Sequence, residues 1–92
     1  MIAVPPLFDK GHVYHLFPVR APSRDAVQRA LRAAGVETLI HYPVPIPAQP
    51  ALASQEPADC PVANRICEEI LSLPLYPTLP ADAIERVASA LA

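Results

Sequence analysis

Thirteen prolines against two glycines constrain this 92-residue chain more than any other feature. Proline fixes φ and removes a backbone donor, so it fits neither a helix interior nor a central strand without loss. Pro43, Pro45, Pro47, Pro50, Pro57 and Pro61 crowd into one stretch. Regular structure must lie on either side of it, and residues 43–59 are expected to form a stiff, extended loop. A loop that long in so small a domain is usually functional or disordered.

On the amino-terminal side, Pro5 and Pro6 keep residues 1–10 extended. His12 to Val19 (HVYHLFPV) is rich in β-branched and aromatic residues and predicts a strand, which Pro18 places at an edge or at its end. Residues 23–34 predict a helix. Ser23 is the N-cap, Asp25 sits near the positive end of the dipole, and Val27, Ala30, Leu31 and Ala34 form one apolar stripe. Gly35 follows as a left-handed stop. Val36 to Tyr42 (VETLIHY) predicts a second strand.

Beyond the loop, Asp59 or Cys60 caps a helix over residues 61–71 with Pro61 in its first turn and Val62, Ile66, Cys67 and Ile70 inward. Leu73 to Tyr76 predicts a short extended piece. Residues 81–91 predict a last helix, with Ile84, Val87, Ala88 and Leu91 on one face. The expected architecture is a two-layer α/β (α+β) domain: a small, mainly antiparallel sheet with about three helices packed on one face.

Composition narrows the function classes. Hydrophobic residues make up 52% and charged ones 17%, which excludes disorder and predicts an apolar face too large for the chain to cover alone. Net charge is −2 and basic residues are scattered, so no nucleic-acid footprint is expected. No apolar run approaches membrane-spanning length, and the opening residues carry no secretory pattern. Cys60 and Cys67 read as reduced cytoplasmic thiols.

Few residues suggest chemistry. His41 and Tyr42 end a strand just before the stiff loop; such a pair either hydrogen-bonds a ligand across a cleft or makes local bonds at a strand end. His12 and His15 are three apart on the expected strand, point to opposite faces and do not converge on a metal with Cys60 or Cys67. Cys67 reads as a small buried hydrophobe, and no oxyanion hole supports a nucleophile paired with His41. Glu68 and Glu69 point in different directions and read as a solvated face.

Three blocks carry a resemblance: HVYHLFPVR at 12–20, GVETLIHYPVPIPAQPAL at 35–52 and CPVANRICEEILSLPLYPTLPADAIERVASAL at 60–91. Together they resemble the carboxy-terminal small domain of the DegT/DnrJ/StrS family of nucleotide-sugar aminotransferases, with IHYP and LSLPLYP the most distinctive stretches. The chain departs from the family at Ile46-Pro47, where Leu-His is frequent, at Leu52, where an aromatic is frequent, and at Asn64, where glutamate is.

The resemblance implies a single domain over residues 1–92, like the small domain of aspartate-aminotransferase-type enzymes. It also implies a pyridoxal phosphate (PLP) parent acting in the biosynthesis of lipopolysaccharide or antibiotic sugars. Partners would be a large domain of the same enzyme or a homodimer mate, and a nucleotide-sugar substrate bound by His41 and Tyr42. No cofactor is expected in this chain itself. Its one lysine, Lys10, lies in the lead-in, and no glycine-rich phosphate loop is present, so the chain alone is expected not to transaminate. Two further readings stay open: a domain of a related pyridoxamine-phosphate (PMP) sugar dehydratase, and a standalone, non-enzymatic interaction module derived from the same fold.

Overall fold

The computed structural model describes residues 1–52, 56 and 58–92. Five main elements follow in order: β1 (Phe17–Arg20), α1 (Arg24–Ala33), α2 (Pro61–Glu69), β2 (Ile70–Leu73) and α3 (Ala81–Leu91). Two short 3-10 turns, Ile46–Ala48 and Pro50–Leu52, punctuate the proline loop. Three helices on a small antiparallel sheet match the expected α+β layering. Among the described residues, no helix is long and apolar enough to cross a membrane.

β1 and β2 pair antiparallel, Phe17 opposite Leu73 and Val19 opposite Leu71. Single bridges extend the sheet on both sides, Ala3 to Arg20 and Leu39 to Ser72. The Ala3 bridge stops where it does for a chemical reason. In its register Pro5 would face Pro18, and neither residue has an N–H to give. Pro18 is thereby accommodated on the side of β1 away from β2.

The strands sit later or are shorter than expected. Residues 12–16 are irregular: His12 Nδ1 accepts the Tyr14 amide at 2.9 Å, and Tyr14 takes a left-handed φ of 49°, which diverts the chain from a ladder. The strand expected over 36–42 contracts to the Leu39 bridge, with the chain also tied to α1 by Gln28 Nε2 donating to Thr38 Oγ1. The extended piece expected at 73–76 is β2 at Ile70–Leu73, so α2 ends at Glu69 and not at 71. Pairing with β1 captures Ile70, and Pro74 ends the strand.

Val19, Leu31, Val36 and Leu71 are the buried core, with Phe17, Val27, Ile40, Leu73, Val87, Ala90 and Leu91 packed around it. The helical stripes are therefore narrower than expected: Ala30, Ala34, Ile84 and Ala88 are exposed. On α2, Val62 is exposed and Ile66 and Cys67 are half-buried. α1 ends in a Schellman arrangement, with Gly35 at φ 80°, its amide on Arg32 O, and the Val36 amide on Leu31 O. Val36 and Leu31 then meet in the core. Ser23 occupies the N-cap of α1, yet its side chain makes no capping bond.

Candidate functional site

Alternation along the strands gives the sheet two faces. Phe17, Val19, Leu71 and Leu73 point to the core. Pro18, Arg20, Ile70 and Ser72 belong to the other face, and the bridge opposite Ser72 puts Leu39 there as well. His41, two residues on, shares that side. Its Nδ1 lies 2.9 Å from Ser72 Oγ. The Ser72 backbone is held by the same segment, its N–H on Leu39 O at 2.7 Å and its carbonyl receiving the Leu39 amide at 3.2 Å.

Beside this pair lies an open cleft of about 950 Å³, lined among others by Arg32, Thr38, His41, Ser72 and Tyr76. It runs between the segment after α1 and the segment after β2. It offers one guanidinium, the Glu37 carboxylate, two hydroxyls, a phenol and an imidazole over apolar walls, a set suited to polar, oxygen-bearing ligands. Tyr42 sits outside the cleft lining. It is exposed, with its ring edge-on to His41 at 5.3 Å between centroids, and the His41–Tyr42 peptide is cis. The structure thus brings His41 into the cleft and leaves Tyr42 on the rim, where the proline loop departs. Within the loop, Gln49 Nε2 donates to Val44 O at 2.9 Å. Residues 53, 54, 55 and 57 of the expected loop lie outside the described residues.

Glu69 departs from the solvated face expected of it. Its carboxylate accepts from Arg20 Nη2 at 2.7 Å and from Arg65 Nε at 3.0 Å, and the Arg65 and Arg20 guanidiniums hold its pKa below the ordinary 4.5. Glu68 is exposed. Arg24, unremarked in the sequence, reaches from the start of α1 to the α2–β2 junction, where Nη1 donates to Cys67 O and Ile70 O at 3.1 Å each. These charges fix the junction that aligns β2, and hence Ser72. Arg65 to Glu69 is an i,i+4 pair visible in the sequence. Arg24 and Ser72 carried no local signal, because their partners are 43 to 46 and 31 residues away.

Large apolar side chains stay exposed at several places, among them Val4, Leu7, Phe8 and Val13 in the lead-in, Leu39 in the cleft lining, Ile46 in the proline loop, Val62 on α2 and Ile84 on α3. Among the described residues, no group of three or more His, Cys, Asp or Glu side chains is arranged to hold a metal.

Comparison with known proteins places these features. Residues 1–92 match the family described as the DegT/DnrJ/EryC1/StrS aminotransferase family. UDP-N-acetyl-3-dehydro-alpha-D-glucosamine 3-aminotransferase of Acidithiobacillus ferrooxidans is 41% identical over 80 residues, 87% of this chain and 22% of that protein. The dTDP-3-amino-3,6-dideoxy-alpha-D-galactopyranose transaminase of Aneurinibacillus thermoaerophilus is 40% identical over 83 residues, 90% of this chain and 23% of that protein. Among solved structures, S. venezuelae DesV in complex with a ketimine intermediate superposes with a TM-score of 0.89 at 38% identity, covering 98% of this chain and 25% of that one. Bacillus subtilis NtdA with bound cofactor PMP gives 0.83 at 27% identity, covering 98% and 22%. The chain spans about a quarter of the length of the relatives it matches.

Proposed function

Since the chain belongs to the DegT/DnrJ/EryC1/StrS aminotransferase family, we propose that it is the carboxy-terminal small domain of a cytoplasmic, PLP-dependent nucleotide-sugar aminotransferase, inactive without the large domain. The observation that carries this reading is the superposition of nearly all of this chain on a quarter of DesV. The family uses PLP, and one solved relative holds PMP. This chain's own residues do not fit that cofactor. Lys10 is exposed in the lead-in, Gly11 lies in a turn against Asp9, and Gly35 ends α1, so neither a Schiff-base lysine site nor a phosphate cradle is formed. The contribution we assign to this domain is substrate positioning. His41 and Tyr42 would donate hydrogen bonds to sugar or phosphate oxygens from the cleft and its rim, without moving the reacting proton. Pro47 removes a donor that relatives often supply from the loop, which leaves more of the contact to His41.

The test joins this domain to a large domain of the family and replaces His41 with Ala or Tyr42 with Phe. The loss of one hydrogen bond to a charged ligand predicts nucleotide-sugar binding weakened by about 10-fold or more, with the PLP absorbance intact. Unchanged affinity would overturn the assignment. Loss of folding would reduce the pair to a local structural one.

A further inference from the structure

The geometry points to Ser72 as the residue that sets the tautomer and orientation of His41, holding the imidazole with its proton on Nε2 so that it donates into the cleft. Ser72 is only 5% exposed, and its backbone N–H and carbonyl are both committed to Leu39. Its Cβ is therefore held as firmly as the strand is, and the Oγ stands in the rotamer that meets His41. A hydroxyl has one proton to donate, and burial makes a proton that is not donated costly. Among the described residues, the hydrogen-bond partner of Oγ is His41 Nδ1, at 2.9 Å. If Nδ1 carried the ring proton, it would be the donor and the Ser72 proton would have no acceptor among the described residues. With Nδ1 as acceptor both groups are satisfied, and the ring proton resides on Nε2. The two ring nitrogens diverge, so the protonated one is the nitrogen turned away from β2.

The consequence is chemical selectivity. An Nε2–H donor in the cleft that Arg32 and Thr38 also line suits a ligand that presents oxygen acceptors, such as a phosphate oxygen or a sugar carbonyl. At that nitrogen the ring cannot accept from a cationic amine, a role left to the Glu37 carboxylate in the same cleft. The ligand part of this inference rests on the proposed role of His41; the hold of Ser72 on the ring does not. Ser72 is a positioning residue, since it acts through His41. Its place in LSLPL follows from alternation. Leu71 and Leu73 face the core, so the residue between them faces the cleft side, where a small hydroxyl fits beneath an imidazole.

Two measurements separate the claims. Long-range proton–nitrogen NMR on the 92-residue chain at about pH 8.5, where an ordinary imidazole is neutral, reads the tautomer directly. A bare-acceptor Nδ1 and a protonated Nε2 are expected, with contacts from the His41 ring to the Ser72 methylene. A protonated Nδ1 overturns the proposal. Ser72→Ala should release the ring, erasing those contacts and shifting both nitrogens, while the Leu39 and Ser72 amides stay protected from exchange. Ser72→Cys, near in size but a weak donor, gives the same result if Ala disturbs the strand, and Ser72→Thr should restore the wild-type spectrum. An unchanged ring in both Ala and Cys variants overturns the proposal. In the enzyme with its large domain present, Ser72→Ala is expected to raise KM for the nucleotide sugar about 3- to 10-fold with kcat nearly unchanged, and to add nothing to His41→Ala. A confirmed tautomer with an unmoved KM would overturn the ligand role of His41 and the oxygen-acceptor selectivity, and support the positioning role alone.

Discussion

The two faces of the same sheet obey different rules. Toward α1 and α3, Val19 and Leu71 are fully buried, and every position is apolar. On the reverse side, the alternate residues of the same strands are Pro18, Arg20, Ile70 and Ser72, joined by Leu39 and His41. The first face needs only volume and apolarity, because burial is non-directional. The second uses directed bonds: Arg20 to Glu69, Ser72 to His41. A domain this small can keep such a polar face only where water, a ligand or another domain meets it. The exposed Leu39, which lines the cleft, fits the last of these.

The sharpest way to break the comparison is to make one deletion on each face. Leu71→Ala empties a fully buried site between β1 and the helices, and is expected to cost about 2–5 kcal/mol. That is a large share of the ~5–15 kcal/mol that holds a domain together. Leu39→Ala, on the paired segment but 66% exposed, should stay within about 0.5 kcal/mol. Urea midpoints of the two variants give the answer. Equal losses would mean that the open face is packed in solution, by self-association or otherwise.

Legibility in the sequence divided along similar lines. The helices expected at 23–34, 61–71 and 81–91 appear at Arg24–Ala33, Pro61–Glu69 and Ala81–Leu91, because a helical period and its stops are local. Gly35 after α1 is one such stop, and it holds φ 80° as required. The strands were harder. Ile70 fits the α2 stripe four residues after Ile66, and only its pairing with Arg20, fifty residues earlier, turns it into strand. Strand position is set by partners, and one chain read alone does not show them. The candidate site divides in the same way. His41 and Tyr42 stood out through family likeness, whereas Ser72 and Arg24 act over distances in sequence that no local pattern spans.

A smaller effect sharpens the role of charge. Arg24 is 12% exposed on its side chain and serves two carbonyls at the α2–β2 junction, while Arg65 is 71% exposed and pairs with Glu69 alone. Arg24→Ala removes the donor from two part-buried carbonyls and is expected to cost about 1–3 kcal/mol. Arg65→Ala should cost about 0.5 kcal/mol or less, as exposed i,i+4 pairs do. Chemical denaturation of both variants tests this. If the order reverses, the junction is held by the α2 surface pair and not by the Arg24 bridge.

The smallest expected effect has a direction in pH that makes it readable. Arg65 and Arg20 donate to Glu69 and hold its folded pKa below the ordinary 4.5. A carboxylate whose pKa falls on folding contributes stability that is fully present above its unfolded value and is lost as pH drops through the folded one. Between neutral pH and about pH 5.5, the contribution should be constant. Below about pH 4.5 it should fade, because the unfolded carboxylate takes up its proton first, and the loss is complete once the folded one is protonated and both guanidiniums face a neutral acceptor. Glu69→Gln keeps the shape and one acceptor oxygen but removes the charge. The variant should therefore be slightly less stable than the parent at pH 7, by less than Arg24→Ala, and the gap should narrow toward pH 3. Thermal melts at the two pH values suffice. A gap that does not shrink at all between pH 7 and pH 3 would mean that the difference lies in the hydrogen bonds that a carboxyl and an amide make at the junction, and that the charge on this face contributes nothing to holding β2 in register.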